Sequence, residues 1–554
     1  MEYKGADIII KTLIDEGVET IFGYPGGAVI DIYNALYDYR DEINHILTCD
    51  ESGAAHAADG YGRSTGKTGV ALATSGPGAT NLVTGIATAF MDSIPMVCIT
   101  GNVPTSLIGK DSFQEIYITG ITMPITKHNF VVRDISELQD TIRRAFKIAN
   151  TGRKGPVLVD VPKDIILSYT EYEPKERLEI QKNESFDEGE LEKLAELINK
   201  SERPFIYCGG GVTNSESYKE LRDLINKNKI PACNTLMAIG VLGYEDELNF
   251  GMVGMHGRVS SNYAMENADL VLAIGARFSD RVALNTKHFA PNAKIVQIDI
   301  DKSEIDKNVL VDFGIVGDIK VILKNLLPLI EERNRSEWLA TLRKYKEKDY
   351  VPEDSEDEIK PHQVMKYVSE VLGEDFIIVT DVGQHQMWAA QYCGKTNPRS
   401  FLTSAGLGTM GFGYGASIGA KLANPNRPVV LITGDGSFHM NMNEVTTAVK
   451  YGIKIITIVM NNNKLGMVRQ WQHFLYSDRY SQTDYDKQTD YVKLADAFGA
   501  KGYSCSNIEE FRNSFDDSVK QNGPTIIEVK INEDEVVLPM IPAGGTVEDL
   551  ILGW

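Results

Sequence analysis

The sequence predicts an α/β protein of three doubly wound parallel-sheet domains, and three observations carry that prediction. Short, β-branched apolar runs recur along the 554 residues; segments long enough for crossover helices separate them; and two charged stretches divide the chain. A strand covered on both faces has no polar side to show, so it reads as a continuous apolar run and not as an alternating one. In chain order the runs are GVALATS (69–75), MVCITG (96–101), PVLVDVP (156–162), FIYCGGG (205–211), LVLAIGA (270–276), KIVQIDI (294–300), FIIVTD (376–381), VVLITGD (429–435) and IITIVMNN (455–462). Strands alternating with helical segments predict parallel sheets with helices on both faces. The stretches EYEPKERLEIQKNESFDEGE (171–190) and 331–360, which starts helical and ends acidic, read as linkers. They set domains at 1–170, 190–330 and 360–554, within the range of domain counts expected for this length. No strict repeat is visible beyond the recurring strand, glycine turn and helix.

Charge and cysteine usage narrow the class. Lys+Arg 56 against Asp+Glu 77 gives a formal net charge of −21. That argues against nucleic acid or an anionic membrane as the main partner, since both need basic surfaces. Six scattered cysteines without a C-x-x-C argue against a disulfide framework or zinc site and for a reducing compartment. The N-terminal segment has too short an apolar run, followed at once by acids, to be a signal peptide, and no apolar stretch spans a bilayer. A cytoplasmic protein is expected.

Chemistry first shows at GDGSF (434–438) and NNN (461–463), each closing a buried strand run. Ligands of open parallel sheets bind beyond the carboxyl ends of the strands. If the two strands are neighbours, the Asp435 carboxylate and the Asn462 amide oxygen converge. Those are hard oxygen ligands suited to a Mg²⁺ ion that also holds phosphates. Gly434 and Gly436 permit close backbone approach, and Ser437 can open a helix facing an anion. Alone, GDG is a tight turn and NNN a capping cluster; together, at strand ends and at this spacing, they favour a metal–diphosphate site.

The stretch from GDGSF to NN resembles the thiamin diphosphate signature of the enzymes that depend on that cofactor. Around it, TDVGQHQMW (380–388), SAGLGTMGFGYGASIGA (404–420), LGMVRQWQ (465–472) and VLPMIPAGGT (537–546) resemble the large, catalytic subunit of the acetolactate synthases. So do FGYPGGAVIDIYNAL (22–36), SGPGATNLVTGI (75–86), VPTSLIGKDSFQE (103–115), ITKHNF (125–130), GPVLVDVPKDI (155–165), GMHG (254–257) and GARFSDRV (275–282). The match runs in the family's order over nearly the whole chain.

The resemblance implies that the first domain holds the cofactor's pyrimidine, the middle one FAD, and the last the diphosphate. It places each active site between the first domain of one subunit and the last of another, so a homodimer is the least working unit and higher oligomers are allowed. A separate small regulatory subunit is a further implied partner. In DESGAAHAADGYGR the implied catalytic residue is Glu51, whose carboxylate bonds the pyrimidine nitrogen N1′; Asp50 and Ser52 stand where the family has His and Gln. Asp435, Asn462 and the backbone carbonyl near Lys464 are the implied Mg²⁺ ligands. Val382, Gly383, Gln384, His385, Gly408, Gly434, Gly436, Ser437, Gly466, Met467 and Val468 would line the cofactor, with Met410 wedged beneath it. Tyr24, Pro25, Thr74, Pro77 and Asn81 would face the pyrimidine from the other subunit.

The implied reaction decarboxylates pyruvate and joins the two-carbon unit to a second pyruvate or to 2-ketobutyrate. The products, 2-acetolactate and 2-aceto-2-hydroxybutyrate, open branched-chain amino acid biosynthesis. Arg281 would pair with the second keto acid's carboxylate, as a planar guanidinium does. Trp471, with Met467, would line the pocket that favours 2-ketobutyrate, and Gly27, Ala28, Phe113, Gln114 and Lys163 would complete the site or its entrance. FAD, bound without a net redox step, would rest on Arg153, Gly209, Gly210, Thr235, Leu236, Gly254, Met255, His256, Gly275, Arg277, Asp299, Ile300 and Asp318. Ser279 replaces the first Asp of the family's R-F-D-D-R, which removes one acid near the flavin. Similarly, RVALN stands for R-V-T-G and Asn102 for a Gln. His128 and His256 are read as packed or capping residues. The alternatives are another thiamin diphosphate-dependent 2-keto acid decarboxylase, carboligase or oxidase, a catalytically weak paralogue, and a flavin- or NAD-linked oxidoreductase.

Overall fold

A computed structural model describes residues 1–180, 186–244, 246–394, 397–485 and 489–553. The middle of the first predicted linker, 181–185, lies outside the described residues. All nine predicted runs form strands, and they fall into three six-stranded sheets, each parallel throughout. The first sheet runs, edge to edge, Asn44–Leu47, Thr20–Gly23, Gly69–Ala73, Met96–Asn102, Pro156–Pro162, His128–Val131. The second runs Asn249–Met252, Ala232–Asn234, Pro204–Cys208, Leu270–Ile274, Lys294–Asp299, Phe313–Val316. The third runs Phe401–Leu402, Ile377–Thr380, Val429–Gly434, Ile456–Asn461, Thr525–Lys530, Lys501–Cys505. The short edge strand Glu2–Lys4 pairs antiparallel with Tyr169–Glu171 and ties the start of the chain to the end of the first domain.

Ranked by chain position, the first and third sheets share one order, 2-1-3-4-6-5, whereas the second is 3-2-1-4-5-6. The terminal domains are thus topological twins, a kinship the sequence does not display. In each sheet the order reverses beside its first strand, and there the crossover helices leave on opposite faces and open a crevice at the strands' carboxyl ends. Those crevices lie between Gly23 and Ala73 in the first sheet, Cys208 and Ile274 in the second, and Thr380 and Gly434 in the third.

The terminal domains are also fused. The helix Glu51–Thr65 crosses the helix Phe412–Ala423, and one core cluster draws Ala54, Ala57, Ala58 and Tyr61 from one side and Phe412, Tyr414 and Ala416 from the other. Only glycine fits the crossing: a Cβ on Gly60 would stand 2.1 Å from the Ala416 carbonyl oxygen, and one on Gly419 1.8 Å from that of Ala57. Small residues in both helices therefore let the two backbones meet. A buried ion triad reinforces the seam. Arg63, on the first helix, bridges Asp59 and Asp92 (2.9 Å) and donates to the Thr403 carbonyl at 2.7 Å. Asp92 in turn accepts from the backbone N–H groups of Ala405 and Gly406 at 3.0 and 2.8 Å. The middle domain has clusters of its own.

Candidate active site

The predicted neighbours are neighbours: Val429–Gly434 pairs with Ile456–Asn461 in parallel, with Gly434 opposite Met460. Asp435 opens the helix Asp435–Asn441 straight from the strand end, two residues before Ser437. Its carboxyl is 4 % exposed and is pushed up to about 7, chiefly by burial, against the backbone N–H donors at Gly436 and Asn463. Its Oδ2 has no hydrogen-bond partner among the described residues. Burying a carboxylate oxygen without a donor is costly, so this atom is built for something the protein chain does not supply. Asn462 is held ready beside it, its Oδ1 accepting from the Lys464 N–H at 3.0 Å and its Nδ2 donating to Gln384 Oε1 at 3.4 Å. One carboxylate, one amide oxygen and a turn carbonyl make an incomplete hard-oxygen set that phosphate oxygens would complete. A Mg²⁺–diphosphate group fits that donor set.

Around this centre the backbone is kept bare. Gly383 (φ 153°) and Gly434 leave room for the buried His385 ring: a Cβ would meet it at 2.8 and 2.9 Å respectively. Burial holds His385 neutral, down to about 3, and its Nε2 has no partner among the described residues. Ser437 Oγ donates to the Val382 carbonyl at 3.0 Å. Gln384 faces inward: its Nε2 donates to Gln470 Oε1 (3.0 Å) and to the Glu535 carbonyl (2.7 Å). A Cβ on Gly466 would strike Gln384 Oε1 at 2.0 Å. Gln384 therefore orders Asn462 and the following helix, with its side chain already engaged. Gln470 was missed from sequence; it lies one helical turn after Gly466, buried, and also accepts from the Val537 N–H at 2.9 Å.

A cavity of about 1960 Å³ joins this crevice to that of the middle sheet. Val382, Gly383, Gly408, Met410, Met467, Val468 and Trp471 line one end. Of the residues expected around FAD, Arg153, Gly209, Gly210, Thr235, Leu236, Met255, His256, Gly275, Arg277, Asp299, Ile300 and Asp318 line the rest. Gly254 (φ 106°) lies behind them, where its Cβ would strike the Arg281 carbonyl oxygen at 2.4 Å. A cavity well above the size of an ordinary small-ligand pocket, at two sheet reversals, suits an elongated dinucleotide. Thr235 Oγ1 is buried there without a partner among the described residues, and burial lifts the Asp299 carboxyl to about 6. FAD therefore fits these residues. Several of them also have local work: Asp318 caps the helix Ile319–Leu326, Arg153 pairs with Glu304 at 2.8 Å, and Gly209 and Gly211 pack backbone to backbone on Gly275. Ser279, half-buried at the rim, opens a turn whose Val282 and Ala283 N–H groups donate to its carbonyl. Arg281 reaches out of this turn, largely exposed, with its guanidinium 5.5 Å from the centre of the Trp471 ring.

The pyrimidine-side residues gather at the reversal of the first sheet. Glu51 begins its helix, and Asn81 Nδ2 donates to Glu51 Oε2 at 2.9 Å. Asp50 and Ser52, which both depart from the family pattern, bind one another: Asp50 caps that helix by accepting from the Ser52 N–H at 2.7 Å. Thr74 is buried beside them and accepts from the Ala28 N–H at 3.3 Å, and Gly78 leaves room for Glu51 Oε1. Lys163 Nζ donates to the Gly27 carbonyl at 3.0 Å. Tyr24, Pro25 and Pro77 are exposed, Gln114 (φ 60°) is half-buried, and Phe113 is 89 % exposed. None of this group lines the cavity described above. His256 is packed as expected, its Nδ1 3.2 Å from the Pro539 carbonyl oxygen. His128 is not packed: it is exposed, its ring meeting Phe130 edge-on at 4.3 Å.

Comparison with known proteins matches three family models in order. They are the thiamine pyrophosphate enzyme N-terminal TPP binding domain over residues 3–121, its central domain over 191–326, and its C-terminal TPP binding domain over 381–529. The chain is 46 % identical to the probable acetolactate synthase large subunit of Methanocaldococcus jannaschii, covering 99 % of this chain and 95 % of that one. It is 41 % identical to the acetolactate synthase large subunit of Haemophilus influenzae, over 99 % and 98 %. It is also 41 % identical to the acetolactate synthase isozyme 2 large subunit of Escherichia coli, over 99 % of both chains.

Proposed function

The chain belongs to the acetolactate synthase large-subunit family of thiamine pyrophosphate enzymes, and on that footing we propose which of its residues carry out the reaction. Among the described residues no helix is long and apolar enough to cross a membrane. The substrates are pyruvate and a second 2-keto acid, pyruvate or 2-ketobutyrate.

Asp435 Oδ2, Asn462 Oδ1 and the carbonyl at Lys464 would hold Mg²⁺, and the bare backbone at Gly383, Gly434 and Gly436 would receive the diphosphate. The unpartnered, buried Oδ2 of Asp435 is the observation that carries this reading. When bound, thiamin diphosphate supplies an acidic C–H whose deprotonation lets it attack a keto acid and release CO₂. Glu51 holds the proton exchanged with the pyrimidine N1′, with Asn81 fixing its other oxygen. Met410, which lines the cavity, would pack against the cofactor. Arg281 meets the carboxylate of the second keto acid, and Trp471, under its guanidinium, bounds the space for that substrate's side chain.

The working site would take Glu51 from one protomer and Asp435 from another, so that a homodimer is the least active unit; that Glu51, Thr74 and Asn81 do not line the cavity that Gly383, Met410 and Trp471 line supports this reading. The exposed Tyr24, Pro25, Pro77 and Phe113 suit a face that a second copy covers. FAD would occupy the middle-domain cavity in a structural role, without the acid that Ser279 replaces. A separate small subunit is the regulatory partner.

Acetolactate formation from pyruvate by the purified chain, with Mg²⁺ and thiamin diphosphate and with or without FAD, tests this reading. The expected result is activity that needs all three. Acetaldehyde or acetate in place of acetolactate would overturn the roles given to Arg281 and Trp471, and full activity without FAD would overturn the role given to the cavity.

A further inference from the structure

One buried carboxylate in the seam between the terminal domains is not accounted for by the roles above. Glu444 begins the helix Glu444–Tyr451, nine residues beyond Asp435, and is completely buried. Its Oε1 accepts from the backbone N–H groups of Cys49 and Asp50 at 3.0 and 3.2 Å, and its Oε2 from Thr447 Oγ1 at 2.6 Å. Cys49 and Asp50 are the two residues before Glu51. Two more bonds fasten the same turn to the same helix region: Cys49 Sγ donates to the Asn443 carbonyl at 3.2 Å, and the Leu47 N–H donates to Tyr451 Oη at 3.0 Å. Gly53 belongs to this arrangement, because a Cβ there would lie 2.2 Å from Glu444 Oε1. The carboxylate thus sits over the first turn of the helix that carries Glu51, where the helix dipole favours negative charge.

We propose that Glu444 is a positioning residue for Glu51: by holding the Cys49 and Asp50 backbone it fixes the first turn of the helix and, with Asn81, the direction of the Glu51 carboxylate. This rests on the role given to Glu51 above. Asn81 binds one Glu51 oxygen through a side chain, which constrains the carboxylate but not the backbone beneath it. Glu444 constrains that backbone, and it does so from the domain that carries Asp435. The donors are two N–H groups that have no other acceptor in the turn, and a donor left unsatisfied in a buried site costs on the order of 1–3 kcal/mol. The turn would relieve that cost by rotating, and Glu51 would rotate with it.

Two measurements test the proposal on E444A, E444Q, E51Q and the double variant E444A/E51Q. The first is backbone amide hydrogen exchange at Cys49 and Asp50 in the cofactor-free chain. The second is the rate at which the C2 proton of bound thiamin diphosphate exchanges with deuterium in the Mg²⁺-loaded protein without substrate. E444A is expected to speed amide exchange and to slow C2 exchange about 10-fold each, with cofactor affinity held within about 3-fold. E444Q, whose amide oxygen still accepts both N–H groups, is expected to recover most of both. In the E51Q background E444A should add less than about 2-fold, because residues acting as one unit are not additive. C2 exchange unchanged in E444A, or lowered by the same factor with and without E51Q, would overturn the proposal. C2 exchange unchanged in E51Q would remove Glu51 from the chemistry, and the proposal with it. If E444A does not accumulate as folded protein, E444D, which withdraws the carboxylate by one methylene, serves in both assays with the same expectations.

Discussion

Asn81 donates its side-chain N–H to Oε2 of Glu51 at 2.9 Å, from the short helix that follows the next strand of the sheet. Glu51 Oε1 lies beside Gly78, where a Cβ would stand 2.9 Å from it. Replacing Glu51 with Gln removes the proton-holding carboxylate and keeps its shape. Acetolactate formation should fall about 10²-fold or more, with Mg²⁺-dependent cofactor binding preserved in a fluorescence titration. N81A, which frees the carboxylate without removing it, should cost about 10-fold.

Asp435 presents a buried oxygen without a partner among the described residues, which a bound cation would satisfy. In wild-type protein, Mg²⁺ with thiamin diphosphate at 100 times its dissociation constant should stabilise the fold by about 2.7 kcal/mol. D435A should melt at the same temperature with and without the two ligands, and chelating Mg²⁺ should reduce the wild type to that behaviour.

Arg281 lies 5.5 Å above the ring of Trp471 and is otherwise largely exposed. With pyruvate and 2-ketobutyrate supplied together, W471L should lower the share of 2-aceto-2-hydroxybutyrate, since a methylene in an apolar pocket is worth about 1–3 kcal/mol. R281Q should raise the concentration of keto acid needed for half-maximal rate by about 10-fold, the loss of a charge-assisted pair. Product ratios by gas chromatography read out both.

Asp160 supplies a pH dependence away from the reacting groups. It is buried in the first sheet, where burial pushes its carboxyl up to about 7, against the hydroxyl of Thr100 (2.7 Å) and the amide of Asn102. A carboxyl raised in the folded state holds its proton where the unfolded chain has lost it. Stability from this group therefore falls as pH rises from about 4 to about 7 and is level above that. In D160N the new amide can turn its oxygen to Asn102 and its NH₂ to the Thr100 hydroxyl. The cofactor-free variant should melt higher than wild type at pH 8 and level with it at pH 4.

Arg63 stands between Asp59 and Asp92 in the seam. R63M leaves two buried acids without a cation and should cost roughly 3–5 kcal/mol, seen as a lower melting temperature of the cofactor-free chain.

The strands and the diphosphate crevice were legible because their signals are local. A fully buried parallel strand shows as one apolar run, and GDG and NN mark the ends of adjacent strands. Thr525–Lys530 is not among the runs read as strands, although it lies between Ile456–Asn461 and Lys501–Cys505. Glu528 breaks its apolar character, and only the fold reveals that Asn461 and Ser504 bind that acid. The glycines and alanines around Glu51 read as part of a cofactor motif, yet Gly60 serves helix crossing. Glu444, Asp92 and Gln470 carry no sequence signal of this kind, since each binds a backbone segment far along the chain: Cys49 for Glu444, Ala405 for Asp92 and Val537 for Gln470. Chemistry assembled across domains is visible only once the domains are.

The glycine-tight crossing of Glu51–Thr65 and Phe412–Ala423 also governs how the polypeptide is made. Its contacts join residues such as Gly60 and Ala416 that are separated by almost two-thirds of the chain, so that interface cannot form until synthesis is nearly complete. The middle domain, whose cores run from Leu191 to Leu342 and so draw on the helix Ser336–Lys346 of the stretch read as a linker, can fold while the remainder is still emerging from the ribosome. During that interval the apolar side of the first helix has no cover. Molecular chaperones should accordingly engage the nascent first domain, and release should coincide with the arrival of the last.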